Sequence, residues 1–319
     1  MKFRNRTLCI ALLVATAQAA DFSAVKDPGP HEIQVESGEW IDGARDGRDV
    51  PWKAYLPAGA DRPVPVVVWS HGAGGSREGG EYLGRHLASH GFAAFHIQHH
   101  GSDVEVLREL GVQAMLWAVA GLEPELQRMR DVPFAVDQIE RMNREGPLAG
   151  RLDVEKIGIS GHSYGAITTL IMAGQTSSAV GDRLAEPRFK AAFAMSPSRP
   201  RNGSVEEAFS DMLMPIFHLT GTNDEDPTGR LTAEDRQVPF QTIDGVEQYL
   251  VVFKDGVHRT FSGREGGYPS IGRHHELIKT AAVVFWRAYL LGDAEAKGWL
   301  QDGGYEQELG VEGSFDVKR

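Results

Sequence analysis

Cysteine is nearly missing from this chain: Cys9 is the only one in 319 residues. A lone thiol builds no disulfide framework, so stability has to come from packing and hydrogen bonding. Positive charge is scarce as well. Lys and Arg number 33 against 44 Asp and Glu, and the net charge is -11 with no basic stripe. That excludes nucleic acid as a natural partner and weakly disfavours highly anionic substrates. The apolar run 7–17 is too short to cross a bilayer, so stable membrane insertion is not expected. Internal repeats and low-complexity linkers are absent. So are the phosphate-binding signatures: the Gly-rich stretch Ser70-His71-Gly72-Ala73-Gly74-Gly75-Ser76 lacks a G-K-[ST] ending and is not a dinucleotide G-x-G-x-x-G. With 41% hydrophobic and 24% charged residues, what remains has the composition of an ordinary globular protein.

The N-terminus reads as a processing signal. Lys2, Arg4 and Arg6 precede the apolar run, and Ala17-Gln18-Ala19 is an A-x-A cleavage site. Cleavage after Ala19 removes three basic residues and no acidic one, taking the net charge from -11 to -14. It also removes Cys9, which sits too close to the basic region to be a lipoprotein attachment site. The expected mature protein is one domain, residues 20–319, in the periplasm or the medium.

Alternating patterns then run to the end of the chain. Residues 31–57 read as two strands joined by the turn Asp42-Gly43-Ala44-Arg45-Asp46-Gly47; Arg45 and Arg48 point to a plain hairpin rather than a calcium loop. Strands are expected at 64–69, 92–97, 189–194, 215–219 and 247–253, with another ahead of Gly161 carrying Ile157 and Ile159. Helices are expected at 81–89, 124–145 and 274–291 and after Gly165. Strand–helix alternation implies a mostly parallel sheet covered on both faces, with chemistry at the carboxyl ends of the strands.

Gly161-His162-Ser163-Tyr164-Gly165 is a G-x-S-x-G pentapeptide set between a strand and a helix. In that context the chain reverses sharply, glycines permit the close approach, and the serine hydroxyl is pushed out above the sheet. A serine needs a base, a carboxylate to orient the base and donors for an oxyanion. The carboxylate is sought after strand 215–219, where Asp224 is the choice and Asp226 the alternative. The base is sought after strand 247–253, where Asp255-Gly256-Val257-His258 follows directly; His274 and His275, opening the last helix, are the alternatives. The oxyanion donors are the N–H groups of Tyr164, after the serine, and Ala73, with Gly72 and Gly74 as neighbours. His71 and His162, beside this machinery, read as packing or hydrogen-bonding residues.

On these residues the chain resembles the α/β-hydrolases over nearly all of residues 20–319. SHGAGGS, GHSYGA, GTNDEDP and DGVHRTFSG are similar to bacterial predicted dienelactone hydrolases, a branch related to platelet-activating-factor acetylhydrolases and to polyester-hydrolysing cutinase-like enzymes. The resemblance implies an eight-stranded-type, mostly parallel sheet and a serine esterase that needs no cofactor, and supports Ser163, Asp224, His258 and Ala73 in the roles given. Dienelactone hydrolases use a cysteine nucleophile, and Ser163 stands here instead. The expected substrate is a small-molecule, lipid or polyester ester. A peptidase or amidase on the same triad, or a non-catalytic binding protein of the same fold, are the alternatives.

The connection 196–214 is too short for a large cap. Residues 100–124 are longer than the fold requires and carry Met115 and Trp117 on a helical apolar face, which walls the substrate pocket or packs into the core. His96, His99, His100 and Asp103 have a metal-like composition without a zinc spacing, so no metal is expected; His99 and His100, following a strand on the catalytic rim, are candidates to face substrate.

Overall fold

A computed structural model describes residues 21–176, 184–226, 229–263 and 271–319. The expected signal segment 1–19 lies outside the described residues. The strands are β1 (Ile33–Asp42), β2 (Arg48–Pro57), β3 (Val64–Ser70), β4 (Ala93–Ile97), β5 (Leu152–His162), β6 (Phe189–Met195), β7 (Ile216–Asn223), β8 (Gln248–Val257) and β9 (Gly313–Lys318). The helices are α1 (Glu81–Ser89), α2 (Val104–Ala120), α3 (Leu122–Arg144), α4 (Tyr164–Met172), α5 (Val205–Ala208), α6 (Val238–Thr242), α7 (Ile271–Leu290), α8 (Ala294–Gln301) and α9 (Gly304–Leu309).

One nine-stranded sheet runs in the order β1-β2-β4-β3-β5-β6-β7-β8-β9. The inner strands from β4 to β8 are parallel, and the pairs β1–β2, β2–β4 and β8–β9 are antiparallel. This corrects the expected eight-strand count. The ninth strand carries a period-two pattern, with Phe315 and Val317 alternating with Ser314, Asp316 and Lys318, that a reading centred on long apolar runs passes over.

Both faces are covered because the inner strands are apolar on both sides. Along β3, Val64, Val66 and Val68 enter one core with Val132, Val136 and Ile139 of α3 and Leu170 and Ile171 of α4. Val67 and Trp69 enter the other with Leu83 and Leu87 of α1 and Leu277, Ile278, Phe285 and Trp286 of α7. The two-residue side-chain period makes one strand serve two cores. Between β6 and β7 the described helix is the single turn α5, so that connection carries no large cap. α2 is broken at Gly111, whose φ of 82° and ψ of 178° are not helical. No helix among the described residues is long and apolar enough to cross a membrane.

Candidate active site

Strand register brings the separate segments together. Ser70 and Gly161 are paired residues of β3 and β5, so the loop after Ser70 and the turn after Gly161 leave the sheet side by side. Gly165 presses on that loop. A Cβ there would sit 1.9 Å from Ser70 O, and one on Gly161 would sit 2.3 Å from Gly165 O. No side chain fits at either position. Between them Ser163 adopts φ 57° and ψ -114°, a strained conformation for a non-glycine residue. Its N–H donates to Met195 O at 2.9 Å, tying the turn to the end of β6.

The second convergence is also a matter of register. β7 and β8 run further than the sequence patterns suggest, to Asn223 and Val257, and those two residues are partners after a bulge beyond Gly221. Asp224 and His258 are the next residues of each strand. They meet because the sheet ends there, without the intervening turns the sequence suggested. His258 Nδ1 donates to Asp224 Oδ1 at 2.7 Å, and His258 Nε2 lies 2.9 Å from Ser163 Oγ. Ser163 is part-exposed, His258 has 18% of its side chain exposed and Asp224 is fully buried. A reactant can reach the serine while the carboxylate stays dry.

Burial opposes ionisation of Asp224. The hydrogen bond and charge of His258 and the charge of the Arg236 guanidinium outweigh it and hold the carboxyl below its ordinary range. Thr220 Oγ1 donates to Asp224 Oδ2 at 2.9 Å. Arg236 is itself buried and donates to the carbonyls of Asp224 and Ser196, each at 3.2 Å. Asp226, the alternative acid, is occupied elsewhere: its Oδ1 accepts from Arg230 N and Leu231 N at 2.6 and 2.9 Å, closing a turn. His275 bonds Thr260 O at 2.8 Å and stacks on Tyr82, and His274 packs on Phe253. His258 is therefore the imidazole bonded to Ser163.

Among the described residues the N–H of Ala73 has no acceptor, whereas Gly74 N–H donates to Ser102 O and Gly75 N–H to Gly72 O, both at 3.0 Å. Tyr164 N–H opens α4 and has no intrahelical partner, as in the first turn of any helix. These are two unspent donors, one in the residue after Ser163 and one in the loop beside it. His162 donates from Nε2 to His258 O at 3.1 Å, and burial keeps its ring well below the usual histidine range.

A buried polar network lies under the loop. Arg128, with no exposed surface, donates to Thr168 Oγ1 at 2.8 Å, to Ser102 Oγ and Ser70 Oγ at 3.0 Å each, and to His71 O. Its guanidinium also stacks over the Tyr164 ring, 4.5 Å from the centroid. Burial pulls it down to about 10, so it is still charged at neutral pH. His99 corrects an expectation. It was a candidate to face substrate, but it is fully buried, with Nδ1 on Asp131 Oδ2 at 3.1 Å and Nε2 on Ser70 Oγ at 3.0 Å. A rim position in sequence does not say which way the ring turns. Asp131 also accepts from Arg45 at 2.7 Å and from Arg48 at 2.8 Å, so Arg45 of the β1–β2 turn and Arg48 at the start of β2 serve this network. Nothing in the sequence pattern marked Arg128, Asp131 or Arg236, because a charge inside a helix or loop ordinarily signals solvent.

Of the remaining candidates, Met115 is buried and Trp117 is 72% exposed. Trp117 is therefore not core packing. His96 bonds Gly79 O at 2.9 Å and stacks on Trp69, so the His96–Asp103 cluster does not converge. His100, Asp103 and Glu105 do gather, with ligand-type atoms within 4.8 Å of one another, and they pair among themselves: His100 Nδ1 lies 3.0 Å from Asp103 and 3.5 Å from Glu105.

The chain is similar to platelet-activating factor acetylhydrolase of Cavia porcellus, 23% identical over 249 residues that cover 66% of this chain and 51% of that protein. It is similar to the Bos taurus protein of the same name, 23% identical over 241 residues that cover 66% and 50%. The chain thus spans about half the length of these relatives. No family model matches it. The mixed sheet with helices on both faces, together with this similarity, fits an α/β-hydrolase-like fold.

Proposed function

We propose that the protein is a serine carboxylic-ester hydrolase working through an acyl-enzyme. The observation that carries this reading is the continuous hydrogen-bonded line from Ser163 Oγ through His258 to the buried Asp224 carboxylate, 2.9 and 2.7 Å long in its two links. Ser163 Oγ attacks the ester carbonyl carbon as its proton passes to His258 Nε2. Asp224 stabilises the imidazolium and fixes the ring with Nδ1 protonated. The carbonyl oxygen becomes an oxyanion and accepts from the Ala73 and Tyr164 N–H groups. Collapse of the tetrahedral adduct expels the alcohol, which takes the proton from His258 Nε2. Water, deprotonated by the same nitrogen, attacks the acyl-serine, and the second adduct breaks to release the acid and return the proton to Ser163. One oxyanion donor contributes about 3 kcal/mol of transition-state stabilisation, so the two amides matter as much as the side chains. These residues carry the whole cycle as written.

The relatives are named acetylhydrolases. We extend to this chain an ester with a small or medium acyl group, on a small-molecule, lipid or polyester alcohol. The test compares para-nitrophenyl acetate and butyrate with a peptide anilide, with and without a serine-directed phosphonate. Ester turnover, phosphonate attachment to Ser163 and loss of at least about 10⁴-fold in kcat on Ser163→Ala are expected. Ester turnover that survives Ser163→Ala, or faster cleavage of the anilide, overturns the reading.

A further inference from the structure

His71 sits next to the proposed oxyanion donor, is 2% exposed, and takes no part in the cycle above. Its protonation pattern is nonetheless determined by its neighbours. The backbone N–H of His99 donates to His71 Nε2 at 3.0 Å. A backbone amide has only a proton to offer, so Nε2 presents its lone pair and the ring proton is on Nδ1. That Nδ1–H donates to Gly72 O at 2.7 Å. The same carbonyl accepts a second bond from Gly75 N–H at 3.0 Å.

The Gly72 carbonyl belongs to the peptide whose N–H is that of Ala73. The peptide is planar and trans, so its C=O and N–H point in opposite directions. Two donors gripping the oxygen from inside leave the N–H aimed outward. They also draw electron density toward the oxygen, which makes the N–H a stronger donor. This peptide lies against the nucleophile: a Cβ on Gly72 would meet Ser163 Cβ at 3.3 Å and His162 O at 3.2 Å. Ala73 is exposed there.

We propose that His71, held as its Nδ1–H tautomer, is the positioning residue that aims the Ala73 N–H at the oxyanion. The inference rests on the esterase reading of this site. The rest of the network keeps the latch in one state. His99, which supplies the tautomer-setting N–H, is pinned by Asp131 and Ser70, and Arg128 holds the His71 carbonyl. Burial, then the charge of Arg128 and the neighbouring His99, push the His71 ring well below the ordinary histidine range. Protonation would set two N–H groups against each other at Nε2, and the surroundings disfavour it.

Two substitutions separate the latch from mere filling of space. His71→Asn places an amide N–H close to where Nδ1–H stood and loses the Nε2 acceptor. His71→Gln keeps an acceptor near Nε2 for His99 N–H and loses the donor to Gly72 O. Expected are a fall in kcat of under about 5-fold for H71N and of about 30- to 100-fold for H71Q, with KM changed less than about 3-fold in both, a misaimed donor costing less than the 10²–10³-fold of a deleted one. A packing role reverses the order, since glutamine better matches the volume of histidine, and H71Q at or above H71N overturns the proposal. Nitrogen-15 spectra of the wild-type protein labelled at histidine give a second readout that does not depend on any variant folding. A protonated Nδ1 and a lone-pair Nε2 on His71 are expected from pH 5 to 8, and a proton on Nε2 overturns the proposal. That spectrum is independent of turnover, so failure of the esterase reading, seen as activity that survives Ser163→Ala, is told apart from failure of the latch.

Discussion

The loop at residues 70–76 rests on a buried charged network of Arg128, His71, His99, Asp131 and Arg48. Asp224 and His258 stand one residue beyond two hydrogen-bonded strands, and register alone sets them side by side. The loop is placed by side chains, Asp224 and His258 by backbone register. The loop therefore depends on a chain of desolvated polar contacts, each of which leaves an unpaired partner when broken. The β7–β8 ladder that carries Asp224 and His258 is made by backbone, so it persists when either side chain is replaced, although Asp224 itself is buried against Thr220, His258 and Arg236. The ladder gives the Asp224–His258 side a backbone support that the loop lacks.

Three substitutions sharpen that contrast. Asp224→Asn leaves the ladder untouched and supplies the wrong hydrogen-bond pattern to His258 Nδ1, so kcat is expected to fall by about 10³- to 10⁴-fold while the fold persists. Steady-state kinetics alongside thermal melting checks it, and a melting temperature that collapses with activity breaks the distinction. Asp131→Asn acts on the other half. It removes the charge shared by Arg45, Arg48 and His99, and a loss of about 3 kcal/mol in unfolding free energy is expected, with only about a 10-fold loss in kcat. This effect has a pH signature. Although burial opposes ionisation of Asp131, the hydrogen bonds and charges of Arg48 and His99 bring its carboxyl down to about 2, below the unfolded value of about 3.9. Its stabilisation is complete above about pH 4 and is lost as pH falls toward 2. Urea midpoints of wild type and D131N are therefore expected to converge between pH 5 and pH 2.5, and a constant gap refutes the assignment. The smallest effect belongs to Trp117→Ala. With 72% of the residue exposed, stability is expected to change by under about 0.5 kcal/mol. If residues 100–124 wall the pocket, kcat/KM for longer acyl chains relative to acetate falls about 5-fold, and an unchanged preference across a chain-length series removes that role.

The same contrast explains which parts of the molecule were legible beforehand. The Ser163 turn is local: glycines, strand and helix lie within a dozen residues, and packing demands each of them. Asp224 and His258 were findable because residues just past parallel strands gather on one rim. The mostly parallel inner sheet and the two-faced core follow from strand–helix alternation and apolar runs such as Val64–Ser70. Arg128, Asp131 and Arg236 were not legible, because a buried charge is recognisable only from partners distant in sequence, here Ser70, His99 and Asp224. His99 was misread for the same reason. Its place on the rim was evident, but its orientation is decided by Asp131 on α3. The β9 strand was missed because its five-residue alternation is short and partly exposed.

That last strand changes what the far end of the chain is for. Phe315 stacks on Tyr249 of β8 and Phe217 of β7 and meets Tyr305 edge-on at 5.0 Å. β9 covers the outer margin of β8, the strand that ends one residue before His258. Loss of β9 therefore strips cover from the strand that carries His258, while the serine turn, several strands inward, keeps its anchorage.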